Sequence, residues 1–164
     1  MSTQKLLGAL AAVALLAACG SDSSSTDRAA TGTGGAGGLG GSGSARPGSQ
    51  EDLVANIGDR VFFETDRSNI RADQRSVLDR QARWMQQYPQ VQVQLEGHAD
   101  ERGTREYNLA LGQRRANAAR DVLVANGVSG ARVSTISYGK DRPTALGSSE
   151  DAWAQNRRAV TVVR

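Results

Sequence analysis

The sequence predicts an α+β domain: a two-layer α/β sandwich with two long helices on one face of a four-stranded mixed sheet. Three observations lead there. Strand-type and helix-type patterns alternate from residue 59 to residue 163. Two long segments carry apolar residues at spacings of three and four. Between them, Val91, Val93 and Leu95 alternate with Gln92, Gln94 and Glu96. A sheet with glutamines on its second face suits two layers better than three.

The chain begins with a short basic start, Met1 to Lys5, and a nearly unbroken apolar run, Leu6 to Ala18. That run is too short to span a bilayer, which takes ~20 residues, and fits a secretory signal peptide over residues 1–18. It ends in Leu16-Ala17-Ala18-Cys19, which resembles the lipobox of bacterial lipoproteins. The resemblance implies cleavage before Cys19 and lipidation of that residue, the sole cysteine. It also implies sorting to the outer membrane, since Gly20-Ser21 lacks an inner-membrane retention aspartate. Residues 19–50 are rich in Gly, Ser, Thr and Ala. With almost nothing to bury, they are expected to stay disordered, as a tether of roughly 30 Å r.m.s. span.

The domain is expected over residues 51–164. Asp59 to Phe63 reads as a strand and Glu64 to Arg71 as a connection. Ala72 to Tyr88 presents Val77, Leu78, Ala82, Trp84, Met85 and Tyr88 on one helical face, and Pro89 ends it. The strand pattern at Val91 to Glu96 breaks at Gly97 to Gly103. Thr104 is a suitable N-cap, and the next helix runs to about Asn126 before Gly127. Val133 to Tyr138 is a third strand. Ser149 caps a short helix reaching Ala152 and Trp153, and Arg158 to Val163 is the last strand.

The second long helix carries an anomaly. Tyr107, Leu111, Arg115, Ala118/Ala119 and Val122 share a stripe, so Arg115 falls on an apolar face. A buried guanidinium needs a partner. Asp66, Asp100 and Glu101 are the candidates. If the first two strands are neighbours, Asp66 and Asp100 lie at the same sheet edge as the helix start. Periodicity leaves two readings open: a zwitterion site in which Arg115 grips a carboxylate and Asp100 an ammonium, or a structural Arg115–Asp100 ion pair. Arg114 and Arg120 read as solvated.

The segment EGHADERGTREYNLALGQRRA, Glu96 to Ala116, closely resembles the peptidoglycan-binding signature of OmpA-like domains. Within that family it is most similar to the peptidoglycan-associated lipoproteins of the Tol–Pal system. Similarity extends to VFFETDRSNI before it, and to VSTISYGKDRP and NRRAV after it. The resemblance implies binding of the diaminopimelate-containing stem peptide of peptidoglycan. Asp100 matches the aspartate on the diaminopimelate amine and Arg115 the arginine on its carboxylate. Asp66 lines the same pocket, and Thr104, Asn108 and Leu111 shape it or touch the ligand. Asn156-Arg157-Arg158 matches a closing signature of mainly structural role. Two positions depart from the pattern: Thr65 replaces a larger apolar residue, and Arg105 stands where proline is common.

The resemblance further implies TolB and other Tol–Pal components as partners, and a role in envelope integrity and outer-membrane constriction during division. The alternative is a module mainly for TolB, with the Asp100/Arg115 pair structural. The domain would face the periplasm of a Gram-negative bacterium, anchored by lipid. Catalysis is not expected. His98 is the only histidine, which leaves too few ligands for a zinc site and no nucleophile–base pair, and it reads as a locally bonded loop residue. No metal or cofactor is expected. A net charge of +3, with arginines interleaved among acids, argues against nucleic acid. On this reading, Asp100→Ala and Arg115→Ala would both abolish wall binding and leave the fold intact.

Overall fold

The computed structural model describes residues 45–164; Cys19, the predicted signal peptide and most of the predicted tether lie outside them. The elements are α1 (Gln50–Asp52), continuing as a π-helical turn (Leu53–Ile57), β1 (Arg60–Phe62), α2 (Ala72–Gln87), β2 (Val93–His98), α3 (Arg105–Ala125), β3 (Val133–Gly139), α4 (Glu150–Asn156) and β4 (Arg158–Val163). The predicted α+β sandwich is what forms: one four-stranded mixed sheet in the order β1-β4-β2-β3.

Each boundary has a local cause. Thr104 caps α3 by accepting from the Tyr107 N–H, and Ser149 caps α4 by accepting from the Ala152 N–H. Ser49 caps α1 in the same way, accepting from the Asp52 N–H. That first turn is packed down. The Gln50 side chain bonds to the last strand, accepting from the Val163 N–H at 2.7 Å, and the Trp84 indole donates to Asp52 at 2.8 Å. The sequence reading missed α1 although Ser49 ahead of two acids is a local cap signal, because what packs the short turn down, Trp84 and the last strand, lies far along the chain.

The sheet order corrects one premise. β1 and β2 are not neighbours, for β4 lies between them. Both run antiparallel to β4, however, and so parallel to each other. Their carboxyl ends therefore still share one sheet edge. The loops carrying Asp66 and Asp100 leave from that edge.

The core lies between sheet and helices, built from Val61, Phe63, Val93, Leu95 and Ala159 on one side and Leu78, Met85, Ala116, Ala119 and Leu123 on the other. Helix α3 sits tightly on β2 because two glycines meet there. A Cβ on Gly97 would overlap the Gly112 carbonyl, and one on Gly112 would overlap the Ser137 hydroxyl. This close approach sets the height of the α3 start above the β2 end.

The buried stripe of α3 is Asn108, Leu111, Gly112, Arg115, Ala116, Ala119 and Leu123. Tyr107 lies at its margin, 45% exposed, so the predicted stripe is rotated by about one residue. Arg120 is not simply solvated: its Nε donates to the Val133 carbonyl at 3.2 Å.

His98 is a correction as well. It closes β2, is buried, and neither ring nitrogen has a hydrogen-bond partner. Burial, with the Arg158 and Arg142 charges nearby, pushes its pKa down to about 4, with the Arg142 backbone opposing that fall. A histidine neutral in the fold but protonated in the open chain stabilises above pH 6.5. That contribution drains away as pH falls toward 4 and amounts to about 3 kcal/mol. His98→Phe keeps a ring and removes the titration. Urea unfolding at pH 7 and pH 4.5 is expected to show a smaller drop for the variant than for the parent; equal drops would refute this.

Candidate functional site

At the shared edge, the β1–α2 loop, the β2–α3 loop and the start of α3 enclose an open cavity of about 310 Å³. Its lining is Thr65, Asp66, Asp100, Arg102, Gly103, Tyr107, Asn108 and Leu111. Four of the six predicted binding residues are on that wall: Asp66, Asp100, Asn108 and Leu111. Thr104 is not; its hydroxyl caps α3. Arg115 is not either. It lies one helical turn beyond Leu111, behind the wall, with no exposed surface.

Asp66 sits in the left-handed region at φ 57°, uncommon outside glycine but tolerated by aspartate. The Tyr107 hydroxyl donates to its carboxylate. This bridge joins the β1–α2 loop to the first turn of α3 across the mouth, and it holds the Tyr107 proton more tightly than usual. Asn108 is buried and donates from Nδ2 to the Arg102 carbonyl at 2.7 Å, fixing the loop below. Lys140 Nζ adds a bond to the Gly103 carbonyl at 2.7 Å.

Arg115 does not form the ion pair with Asp100 that the sequence left open. Its Nε donates to the Arg67 carbonyl at 2.9 Å, Nη1 to the His98 carbonyl at 2.8 Å, and Nη2 to the Glu64 carbonyl at 3.0 Å. The guanidinium carbon lies 5.2 Å from the Phe63 ring centroid. One side chain thus pins both loops of the cavity by their backbones. Burial lowers its pKa to about 10, with the nearby Asp100 opposing that fall, so it stays charged at neutral pH. Two of its five N–H groups remain beyond these three bonds.

Asp100 is paired with other arginines. Its Oδ1 accepts from the Arg102 N–H at 3.1 Å and Arg102 Nε at 3.2 Å. Its Oδ2 accepts from Arg102 Nη2 at 2.7 Å and Arg157 Nη1 at 3.5 Å. Burial opposes ionisation, but these bonds and the Arg102 charge outweigh it and hold the carboxyl below its ordinary range. Arg157 is buried, donating also to the Phe63 carbonyl at 3.1 Å and to Glu150 at 2.5 Å.

The OmpA family profile matches residues 62–157, which hold every wall and loop residue just described. The chain belongs to the OmpA family. Among its OmpA-family relatives, the peptidoglycan-associated lipoprotein of Rhizobium meliloti is 60% identical over 120 residues, 73% of this chain and 68% of that protein. That of Pasteurella multocida is 42% identical over 95% of each chain. The crystal structure of the peptidoglycan-associated lipoprotein from Burkholderia pseudomallei covers 69% of this chain and all of that one, with a TM-score of 0.65 and 39% identity. The C-terminal domain of Helicobacter pylori MotB is similar at 26% identity and a TM-score of 0.61.

Sequence reasoning missed Arg102, Gly103 and Tyr107 as wall residues of this OmpA-family cavity. Arg102 had a signal, since a cation two residues beyond a loop aspartate can fold back onto it. Among the described residues, no group of three His, Cys, Asp or Glu side chains is placed to hold a metal.

Proposed function

We propose that this chain is an outer-membrane lipoprotein that binds peptidoglycan non-covalently through the cavity at the carboxyl ends of β1 and β2. The observation that carries the reading is the pairing of two wall carboxylates, Asp66 and Asp100, with the buried positive charge of Arg115 behind the same wall. A ligand with an ammonium and a carboxylate a few bonds apart suits that arrangement. The diaminopimelate residue of a stem peptide has those groups, and the 60% and 42% identical relatives, named peptidoglycan-associated lipoproteins, support peptidoglycan as the polymer bound.

In this reading Asp100 accepts from the diaminopimelate ammonium, with Asp66 beside it. The buried Arg115 charge behind the wall favours the ligand carboxylate through its field, without touching it, and the N-terminus of α3 adds to that field. Asn108 and Leu111 shape the wall, and Thr104 holds the helix start in place. Catalysis is no part of the proposal.

Lipidation at Cys19 would anchor the domain to the outer membrane, facing the periplasm. One acyl chain holds only marginally at ~0.8 kcal/mol per methylene, so several are needed for a lasting link. Family resemblance adds TolB and the Tol–Pal system, and with them constriction of the outer membrane at division. Exposed Tyr107 and Leu109 beside the cavity would give such a protein partner apolar surface.

The test uses the full chain and its Cys19→Ser variant. Both are expected to co-sediment with isolated sacculi and to be displaced by a diaminopimelate-containing stem peptide. Only the parent is expected to partition with membranes. Sedimentation that the peptide does not displace would overturn the ligand, and membrane partitioning of the variant would overturn the anchor.

A further inference from the structure

Asp100 has no room for a ligand as it stands. A carboxylate offers about four acceptor positions. Here all four are taken: two by the Arg102 side chain, one by the Arg102 backbone N–H and one by Arg157. An incoming ammonium must therefore replace a donor.

Only one of these donors is free to leave. The backbone N–H belongs to a loop held by Asn108 and Lys140. Arg157 is buried and tied to the Phe63 carbonyl and Glu150. The Arg102 side chain is 39% exposed and lines the cavity. Its guanidinium lies 4.2 Å from the Trp153 ring centroid, and Nη2 also reaches the Thr65 hydroxyl at 3.3 Å.

We infer that Arg102 is a built-in stand-in for the ligand's cation: it occupies the ammonium position at Asp100 in the free protein, is exchanged for the ligand's ammonium on binding, and then serves the ligand's carboxylate. This rests on reading the cavity as a site for the stem peptide. The exchange is cation for cation, so the buried Asp100 charge is never left unpaired. That condition matters because an uncompensated buried charge is strongly unfavourable.

The exchange makes Arg102 a specificity-determining residue. A ligand with an ammonium alone displaces the guanidinium from Asp100 and gives it nothing in return. A ligand that also brings a carboxylate supplies a new partner on the same side of the cavity. Thr65 belongs to this device, because its hydroxyl is a polar rest for Arg102 that a larger apolar residue would not supply.

The experiment titrates the full-length chain in detergent micelles with two stem peptides, one carrying diaminopimelate and one carrying lysine, which lacks the second carboxylate. The parent is expected to prefer the diaminopimelate peptide by about tenfold, the scale of a charge-assisted pair near a surface. In Arg102→Ala and Arg102→Gln the lysine peptide is expected to bind more tightly than to the parent, and the ratio to fall to within about twofold. Arg102→Lys, which keeps a cation, is expected to recover most of the preference. An unchanged ratio in Arg102→Ala, or weaker binding of both peptides alike, overturns the exchange and leaves the wall-binding reading standing. A parent that binds neither peptide overturns both.

Discussion

Asp100→Asn is expected to abolish co-sedimentation with sacculi, with an affinity loss of about 100-fold or more. The change keeps the shape of the side chain and removes its charge. It converts two acceptor oxygens into one acceptor and one amide donor, which faces an incoming ammonium with the wrong polarity. Hydrogen bonds to charged groups contribute roughly 1.5–3 kcal/mol each, and two such bonds account for the expected loss. The fold should survive, because Arg157 keeps its bonds to Glu150 and the Phe63 carbonyl. A modest fall in stability is expected from the loss of charge beside two arginines. The measurement is sedimentation at matched protein concentration, with a urea unfolding curve as control. Binding at the parental level would remove Asp100 from the site.

Arg115→Ala is expected to lower stability by about 4 kcal/mol or more. The carbonyls of Glu64, Arg67 and His98 would lose their donor together. Each unsatisfied buried group costs about 1–3 kcal/mol, and the void left by a long side chain adds to that. Domains of this size hold only about 5–15 kcal/mol in total. The variant therefore stands near the edge of folding, contrary to the expectation from sequence that it would stay intact. Loss of wall binding in Arg115→Ala reports a collapsed pair of loops as much as a missing charge behind the wall. Arg115→Lys retains the charge but not the three-way fork, and should recover only part of the stability. A drop under about 1 kcal/mol in Arg115→Ala, read from urea midpoints, would show that the carbonyl clamp is not what holds the loops.

The contrast between these two residues is instructive. Both were legible in sequence as candidates, Asp100 as an acid in a glycine-rich loop and Arg115 as a cation on an apolar face. Their pairing was not. Asp100 takes its partners from Arg102, two residues away, and Arg157, 57 residues away. Arg115 takes three backbone carbonyls from two separate loops. Backbone acceptors carry no residue identity, so no pattern of side-chain types could announce them. The buried, unpartnered His98 was misread for a related reason: its environment comes from Arg158 and Arg142, supplied by a strand and a loop distant in the chain.

The sequence by itself determined the two long helices, the four strands and the two-layer arrangement; Asp66 and Asp100 were candidates from their loops, and Asn108 and Leu111 only from the family resemblance. Periodicity of apolar residues, capping side chains and glycine breaks are local, and local physics suffices for them. Tertiary structure decided the rest. It placed β4 between β1 and β2 and yet brought their ends to one edge. It took Arg115 away from Asp100 and made it the pin of both loops, and it set Arg102 on Asp100. Those outcomes depend on which distant backbone and which distant charge meet once the sheet has formed.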